Sequence, residues 1–331
     1  MGTFRPRSVF VAALTLATAS TLVACGSGDD STPSGSETAG AFPVTVDHAY
    51  GSTTIGDAPE RVVTIGFNDL DFVLALGDTP VATREFTGYD YRQRPWADRY
   101  PEAAQLPEVG GMELDFEKLA ETGPDLLLGT YALLKPDDYE TVSAIAPTVG
   151  DLRGPGGGPA SWEDQLTTIG RSLGKSDEAQ RLLESVRGEF TDATTSNPQF
   201  AGRTAAVAMV LDDGFYILEA DDPRNRFFTD LGFVTPAEVG EVSPERLDML
   251  DQQNLIVLGG TKEQLTADPL FAALDVVEND RTVYLGEFGT DAPAAVGFAS
   301  PLSLPYLLDV TVPALAAATD DDPATVVPAI G

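Results

Sequence analysis

The longest helical pattern in the chain is SDEAQRLLESVRGEFTDATTS, residues 176–196. Its apolar side chains recur every three or four residues, the spacing of one face of an amphipathic helix: Ala179, Leu182, Leu183, Val186 and Phe190. Ser176 is the predicted N-cap, and a helix from Asp177 to about Ser196 would be ~30 Å long. A helix of that length is typical of a rigid strut between two halves of a protein rather than of a flexible linker.

Short apolar strands alternate with helical segments on both sides of this helix. A hairpin is predicted at 43–55, and buried strands are predicted near 62–65, 80–83, 125–128, 148–149, 204–211, 215–218, 255–258 and 282–285. Continuous apolar strands between helices indicate parallel sheets covered on both faces. We therefore predict the α/β class, with two α/β lobes of mostly parallel sheets joined by a single long α-helix. The predicted limits are 42–175 for the N-terminal lobe, 176–198 for the inter-lobe helix and 199–331 for the C-terminal lobe.

The two halves share a local pattern. FEKLAETGPDLLLG at 116–129 is similar to PERLDMLDQQNLIVLG at 244–259. Each has an acid, a base and a leucine on a short predicted helix, then a polar turn, then an apolar strand closed by glycine. The match favours two lobes of related architecture.

The N-terminus has the pattern of an export signal. Two arginines in the first eight residues precede an apolar run at 9–24, which is too short to span a bilayer comfortably. The run ends at the only cysteine, Cys25, in a setting that resembles the cleavage site of bacterial lipoproteins. We predict a lipoprotein signal peptide at 1–24, lipidation of Cys25, a disordered tether at 25–41, and anchoring on the extracytoplasmic face of the cell membrane. The alternative is an ordinary secretory signal followed by a coincidental cysteine.

Acidic residues dominate the composition, with 52 Asp and Glu against 20 Lys and Arg and a net charge of −32 at pH 7. A chain this acidic repels nucleic acid and anionic lipid head groups, so we expect neither as a partner. With 43% hydrophobic residues, the part after the tether is apolar and long enough to fold into two lobes.

Six segments follow one another along the chain: APERVVTIGFNDLDFVLALGDTPVA (58–82), ELDFEKLAETGPDLLLG (113–129), IAPTV (145–149), SWEDQLTTIGRSLG (161–174), DPLFAALDVVENDRTVYLG (268–286) and SPLSLPYLLD (300–309). Each is weak alone. Together with the hairpin, their ordered combination covers about residues 43–318 and resembles the periplasmic-binding proteins for iron siderophores and vitamin B12.

The resemblance implies a ligand cleft between the two lobes and little hinge motion on binding. It also implies a solute-binding lipoprotein, expected to be a monomer, that captures an iron(III)–siderophore complex outside the membrane. Such a protein delivers its ligand to an ABC importer, whose permease and ATPase are separate chains, and is not an enzyme.

Guanidinium and aromatic side chains concentrate in residues 84–100, after the second predicted strand of the sheet. Cleft residues are expected in loops after strand ends, and this mixture suits a bulky, rigid, anionic or metal-chelated ligand. The candidate ligand contacts are Arg84, Tyr89, Tyr91, Arg94, Trp96, Tyr131, Arg153, Tyr216, Arg224 and Arg226. The alternative is that these arginines pair with the abundant surface carboxylates.

Metal-binding side chains are scarce, because His48 is the only histidine and Cys25 the only cysteine. Zinc, manganese and copper sites usually need clusters of such residues. We therefore expect no metal bound directly by side chains and no cofactor, since iron inside a siderophore needs no protein ligand. Bare Fe³⁺ held by several tyrosines is an alternative, although it would have no histidine to help. Heme stays an alternative, with Tyr91 or Tyr131 as axial ligand. Cobalamin is another, although an Arg-rich segment is less expected for that nearly neutral molecule.

Two glutamates match the transporter-docking positions that the resemblance implies. In the family, one exposed Glu on each lobe contacts arginines of the permease, and the matching residues are Glu117 and Glu245, which occupy equivalent places in the shared pattern. Glu113 is a possible substitute for Glu117. The alternative is that each is a solvated acid in the first turn of a helix, stabilised by less than ~1 kcal/mol.

Catalytic patterns are missing from the sequence. It has no Gly-x-Ser-x-Gly motif, and the glycine-rich loop at 154–158 lacks the Lys-Ser/Thr of a phosphate-binding loop. Carboxylates are numerous enough for a glycosidase pair, so a secreted hydrolase is the alternative from a different class.

Overall fold

An antiparallel hairpin, a four-stranded sheet and a five-stranded sheet follow one another along the chain. The structure, a computed structural model, describes residues 42–86, 91–154, 157–322 and 324–330. The predictions for the signal peptide, the lipidated Cys25, the tether and Tyr89 lie outside the described residues, as does the side chain of Tyr91.

The first half of the chain forms the hairpin and a fully parallel sheet. Its strands are β1 (Val44–His48), β2 (Gly51–Ile55), β3 (Val62–Thr64), β4 (Ala82–Thr83), β5 (Leu126–Leu128) and β6 (Thr148–Val149). The sheet has the order β4-β3-β5-β6, and Val63 pairs with both Ala82 and Leu127. Every residue of these four strands is buried, which is why they have no alternation of apolar and polar residues in the sequence.

Four helices cover this sheet: α1 (Asp69–Ala75), α2 (Phe116–Glu121), α3 (Pro136–Ile145) and α4 (Trp162–Ser172). Two of these helices, α2 and α4, begin at a side-chain N-cap. Ser161 accepts a hydrogen bond from the Asp164 amide at 3.1 Å, and Asp115 accepts one from the Lys118 amide at 3.1 Å. Short 3₁₀ turns lie between β4 and α2, at Tyr91–Gln93, Pro95–Ala97 and Ala103–Gln105.

The predicted strut is α5 (Ser176–Ser196). Its N-cap is Lys175, so the prediction of Ser176 as the cap was wrong by one residue. The buried face consists of Ala179, Leu183, Val186 and Phe190. It packs against α4 of the first half and against the closing helix of the second half.

The second half forms a mixed sheet. Its strands are β7 (Ala205–Leu211), β8 (Gly214–Ile217), β9 (Gly240–Val242), β10 (Asn254–Leu258) and β11 (Thr282–Tyr284). They have the order β11-β10-β7-β8-β9, in which β11, β10 and β7 are parallel while β8 and β9 are antiparallel to their neighbours.

The helices of this half are α6 (Pro223–Asp230), α7 (Lys262–Leu265), α8 (Pro269–Ala272), α9 (Asp275–Glu278), α10 (Asp291–Gly297) and α11 (Ser303–Ala318). Two 3₁₀ segments, Pro198–Phe200 and Pro244–Leu250, precede β7 and β10. The second contains a non-helical residue, Arg246. The shared pattern therefore builds a regular α2 before β5 but a kinked 3₁₀ segment before β10.

One apolar core runs through both halves around α5. It includes Leu74 of α1, Leu166 of α4, Phe190 of α5 and Leu307 of α11. Phe190 also meets Phe227 of α6 edge to face, with ring centroids 5.5 Å apart. Each fully buried side chain of this size stabilises the fold by about 1.5–3 kcal/mol, so the helix is held by both lobes at once.

Hydrogen bonds also join the two lobes directly. The Asn68 side chain donates to the Ala299 carbonyl at 3.3 Å, and the Ser300 hydroxyl donates to the buried Asp71 carboxylate at 2.5 Å. Both bonds connect the start of α1 to the segment before α11. The predicted fold class, two α/β lobes joined by one long helix with a cleft between them, is confirmed.

Among the described residues, no helix is both long and apolar enough to cross a membrane.

The close approach of α4 to α5 depends on Gly170. A Cβ added there would lie 2.5 Å from the Cβ of Ala179. We expect Gly170→Ala to lower the free energy of unfolding by about 1–3 kcal/mol, because neither backbone can move without disturbing the core. Urea titrations followed by far-UV circular dichroism measure this change.

The matched control is Gly188→Ala on the exposed face of α5, where an added Cβ meets nothing within 4 Å. This variant should raise the free energy of unfolding by about 0.5–1 kcal/mol, since alanine is the better helix former. Changes of the same sign in both variants would contradict the packing argument.

Candidate functional site

A cavity of about 940 Å³ lies between the two lobes. Its walls come from loops at the carboxyl ends of strands in both sheets and from the start of α6 and the length of α10. The lining residues are Phe86, Tyr131, Arg153, Gly157, Gly158, Pro159, Met209, Glu219, Asp221, Asp222, Pro223, Arg224, Leu258, Phe288, Gly289, Pro293, Ala294, Gly297 and Phe298. Open α/β sheets place ligand sites at this edge, because successive loops converge there.

Four aromatic rings meet at one side of this cavity. Phe67, which follows β3, contacts Phe86 at 5.0 Å and Tyr131 at 5.6 Å between ring centroids, both edge to face. Phe298, from the other lobe, lies 5.5 Å from Phe86 and 6.0 Å from Tyr131. We call these four residues the aromatic floor. Phe86, Tyr131 and Phe298 line the cavity, and the buried Phe67 packs against all three without lining it. The three lining rings offer an apolar contact surface shared by the two lobes.

Arg84 supports the aromatic floor from behind. Its guanidinium donates to the carbonyls of Gly111 at 2.7 Å, Met112 at 2.5 Å, Ala132 at 2.9 Å and Ile65 at 3.2 Å. It also lies 4.2 Å over the Phe67 ring.

Burial lowers the pKa of Arg84 to about 10, so it stays charged at neutral pH. The structure thus places this predicted ligand contact in the frame of the cavity rather than among its lining residues.

A carboxylate fixes the loop that carries Tyr131. Asp151, just after β6, accepts hydrogen bonds from three successive amides: Ala132 and Leu133 at 2.7 Å each and Leu134 at 2.9 Å. Leu133 has a φ of 53°, in the left-handed region that leucine rarely adopts. The three amide bonds explain how this strained loop is held.

Asp69 is a second buried carboxylate at this edge. It accepts hydrogen bonds from the amide of Thr130 at 3.1 Å and from the Thr130 hydroxyl. Burial raises the pKa of Asp69 to about 7, against the opposing effect of the bonds from Thr130. Gly66 is required here, because a Cβ at that position would lie 2.0 Å from a carboxylate oxygen of Asp69.

Arg224 lines the cavity from the second lobe but is held by Asp222. Its Nε and Nη2 donate to the two carboxylate oxygens of Asp222 at 2.9 and 2.6 Å, and its Nη1 lies 2.8 Å from the sulfur of Met209. The hydrogen bond to Asp222 raises the pKa of Arg224. Partial burial opposes ionisation of Asp222, but the bonds and charge of Arg224 outweigh it and lower the pKa of that carboxyl.

Two further predicted contacts line the cavity from the first lobe. Arg153 is exposed and makes no ion pair with any residue in the part of the chain that the structure describes. Tyr131 presents its ring, and burial raises the pKa of its hydroxyl, despite the nearby charge of Arg224. The phenol is therefore neutral at pH 7 and can donate a hydrogen bond.

Arg94 and Trp96 lie beside the cavity and do not line it. Arg94 is buried and bridges the lobes, donating to Asp291 at 2.7 Å and to the Gly289 carbonyl at 2.6 Å. Trp96 is buried against Tyr306 of α11, with ring centroids 5.2 Å apart. Both residues hold the lobes together.

Tyr216 and Arg226 also lie outside the lining. The Tyr216 hydroxyl donates to Glu219 at 3.3 Å, and the negative charge of Glu219 raises the pKa of that tyrosine. Arg226 donates to Glu163 of α4 at 2.6 Å and contributes to a separate small cavity beside α4.

Comparison with known proteins gives the same fold family as the architecture. A model of the periplasmic binding protein family matches residues 62–287. The chain belongs to the periplasmic binding protein family. The resemblance drawn from the ordered motifs is therefore confirmed.

Three relatives of this periplasmic binding protein cover most of its length. The Fe(3+)-citrate-binding protein YfmC of Bacillus subtilis (strain 168) is 25% identical over 238 residues, which span 69% of this chain and 74% of YfmC. The crystal structure of a periplasmic solute binding protein from Mycobacterium smegmatis str. MC2 155 is 33% identical with a TM-score of 0.74 over 83% of this chain and 98% of that one. PiaA of Streptococcus pneumoniae TIGR4, in complex with ferrichrome, is 25% identical with a TM-score of 0.70 over 84% and 99%.

Several lining residues of this periplasmic binding protein were not among the predicted contacts. Phe86 and Phe288 follow β4 and β11, so the strand-end rule that selected Tyr131 could have found them. Phe298 lies at the end of α10, and no sequence signal connects it to the aromatic floor. Phe288 packs closely over Gly259, where an added Cβ would lie 2.3 Å from its ring.

The two candidate docking glutamates are exposed. Glu117 lies in the first turn of α2, and Glu245 in the first turn of the 3₁₀ segment before β10. The segments that carry them lead into the inner strands β5 and β10 of the two sheets.

The raised pKa of Asp69 predicts a pH dependence of stability. Its ordinary value is 3.8, so between that pH and about 7 the folded protein holds a proton that the unfolded chain has lost. The free energy of unfolding contributed by this group therefore falls as pH rises through that window, by up to about 1.4 kcal/mol per unit. Asp69→Asn removes the titration. Urea titrations from pH 5 to pH 8 should show the stability of the wild type relative to the variant falling up to about pH 7 and then levelling off.

The exposed Asp57→Asn serves as the control and should leave the wild-type pH profile unchanged. A constant difference between wild type and Asp69→Asn across this range would show that the carboxyl does not titrate there.

Proposed function

We propose that this protein is a solute-binding lipoprotein that captures an iron(III)–siderophore complex outside the membrane and delivers it to an ABC importer. The observation that carries the proposal is the preformed cavity of about 940 Å³ with an aromatic floor contributed by both lobes. Ligand pockets in proteins span about 300–1,000 Å³, so this cavity suits a large, rigid molecule.

The chemistry of the walls supports a chelated metal over a bare ion. Among the residues that the structure describes, no group of three or more His, Cys, Asp or Glu side chains could hold a metal ion. His48 lies in the hairpin, where its ring hydrogen-bonds Thr53 at 3.0 Å. A siderophore brings its own donor atoms, so the protein needs only apolar surface and a few polar contacts.

The relatives support the same ligand class. YfmC is named for binding Fe(3+)-citrate, and PiaA is seen with ferrichrome, an iron chelate. Heme requires an axial ligand, and Tyr131 lines the cavity as a neutral phenol whose pKa is raised by burial. A heme iron would have to displace this phenolic proton, whereas a siderophore can accept a hydrogen bond from the phenol as it stands.

The same proposal includes anchoring and delivery. Lipidation of Cys25 would tether the protein to the membrane through residues 25–41, as a monomer on the extracytoplasmic face. Glu117 and Glu245 would contact the permease, whose ATPase supplies the energy of transport. Capture and release of an intact chelate need no catalytic group.

Binding is tested by native mass spectrometry and isothermal titration calorimetry on the chain from residue 42 onward. We expect stable one-to-one complexes with at least one ferric siderophore and none with heme or cobalamin. Tyr131→Ala and Phe298→Ala should each weaken that complex at least about tenfold, since each removes part of the aromatic floor.

The control for these variants is Leu270→Ala, which removes an exposed apolar side chain outside the cavity lining and should leave affinity within about twofold. Tight binding of heme or cobalamin with no binding of ferric siderophores would refute the proposal.

Delivery is tested with Glu117→Ala combined with Glu245→Ala. Uptake of the radiolabelled ferric siderophore by cells should fall to background, because the contacts with the permease are lost, while the affinity of the purified protein stays unchanged. The matched control combines Glu140→Ala of α3 with Glu263→Ala of α7, which removes two exposed carboxylates outside the docking segments. Normal uptake with the first double variant would show that these glutamates do not dock.

A further inference from the structure

The cavity walls carry more negative than positive charge. Three carboxylates, Glu219, Asp221 and Asp222, face two guanidiniums, Arg153 and Arg224, among the described lining residues. All three carboxylates lie on one short segment of the second lobe, between β8 and α6.

The positive charge of Arg224 is already neutralised within the wall. Asp222 binds it through both carboxylate oxygens, and its remaining nitrogen contacts the Met209 sulfur. A ligand anion would have to displace Asp222 to reach this guanidinium. Arg224 and Asp222 together therefore act as a neutral polar surface.

Glu219 and Asp221 have no such partner. Both are exposed, and neither forms an ion pair with a residue that the structure describes. The carboxylate of Glu219 accepts a hydrogen bond from the Tyr216 hydroxyl alone among the described residues. Opposite them, Arg153 is the single guanidinium in the described lining that is not paired with an acid. The unpaired groups of the described lining are therefore two carboxylates and one guanidinium, and their summed charge is negative.

Other arginines near the cavity cannot reverse this balance. Arg84 is buried in the frame of the cavity, where the negative charge of Asp151 acts on it and offsets its own. The others are paired with acids: Arg92 with Glu85 and Glu108, Arg94 with Asp291, and Arg226 with Glu163. The chain as a whole has a net charge of −32, which repels anions before they reach the cavity.

The main siderophore classes differ in the charge of their iron complexes. A ferric tris-hydroxamate has no net charge, because three singly charged hydroxamates balance the iron, and a free amine on the chelator makes the complex a cation. A ferric tris-catecholate carries three negative charges, and iron citrate complexes are also anionic. Apolar linkers between hydroxamates suit the aromatic floor and its neighbours Met209 and Leu258.

We propose that this cavity selects neutral or cationic ferric hydroxamates and discriminates against anionic ferric catecholates and ferric citrate. The inference rests on the proposed function and names its substrate class. The carboxylates of Glu219 and Asp221 set the selection, and the aromatic floor supplies contact that does not depend on ligand charge.

Calorimetric titration tests the selection with four probes: ferrichrome, ferrioxamine B, ferric enterobactin and ferric citrate. We expect ferrichrome and ferrioxamine B to bind at least about tenfold more tightly than the two anions. Lowering the salt from about 150 mM to about 20 mM should strengthen binding of cationic ferrioxamine B and leave neutral ferrichrome unchanged, since exposed charges are less screened.

The decisive variant is Glu219→Gln combined with Asp221→Asn. It should raise the affinity for ferric enterobactin at least about tenfold and change that for ferrichrome less than about twofold. The matched control, Asp212→Asn combined with Asp213→Asn, removes the same charge at the exposed turn between β7 and β8 and should leave all four affinities unchanged.

The outcomes separate the two proposals. If an anionic chelate binds more tightly than both hydroxamates, or if the Glu219/Asp221 variant leaves the ratio of affinities unchanged, the charge selection is wrong while the proposed function stands. If the folded protein binds none of the four chelates, this inference is wrong, and binding of heme or cobalamin in their place overturns the proposed function as well.

Discussion

The apolar core around α5 fixes the distance between the two sheets, and the cavity exists because that distance is fixed. Phe190 contacts the second lobe while Ala179 packs against α4 of the first, so the helix cannot leave one lobe without exposing the other. Buried polar bridges such as Asp71–Ser300 and Arg94–Asp291 reinforce the same spacing. We expect walls held at this spacing to cost a ligand little binding energy for ordering.

The chain is strongly acidic, and most of the arginines that the structure describes are bound to a carboxylate or a backbone carbonyl and are not available to a ligand. Arg94 and Arg226 connect the lobes, and Arg84 holds loops together. The cavity is lined mainly by aromatic rings, glycines and prolines, and its three carboxylates lie between β8 and α6. The proposed site would therefore recognise its ligand by shape and apolar contact first, with charge adding discrimination.

The sequence predicts the frame of this molecule well and its site only partly. Buried strands such as Leu126–Leu128 and the periodic face of α5 carry local signals, and the structure has both. The edge strand β9 and the helix α10 were not predicted, because the first is short and the second has a proline and no periodic face. Tyr131 lies in the loop after β5 and lines the cavity, as expected for a residue that follows the carboxyl end of a parallel strand. The pairing of Arg94 with Asp291, 197 residues away, depends on tertiary contacts that no local pattern reveals.

Arg84 has a consequence for how such a protein diversifies. One side chain ties carbonyls from three separate loops, so those loops keep their backbone positions whatever side chains they display. Residues such as Phe86 and Tyr131 can then be exchanged in evolution without rebuilding the loops beneath them. Mutation can retune the ligand preference of the scaffold one wall residue at a time, as long as the hidden guanidinium is retained.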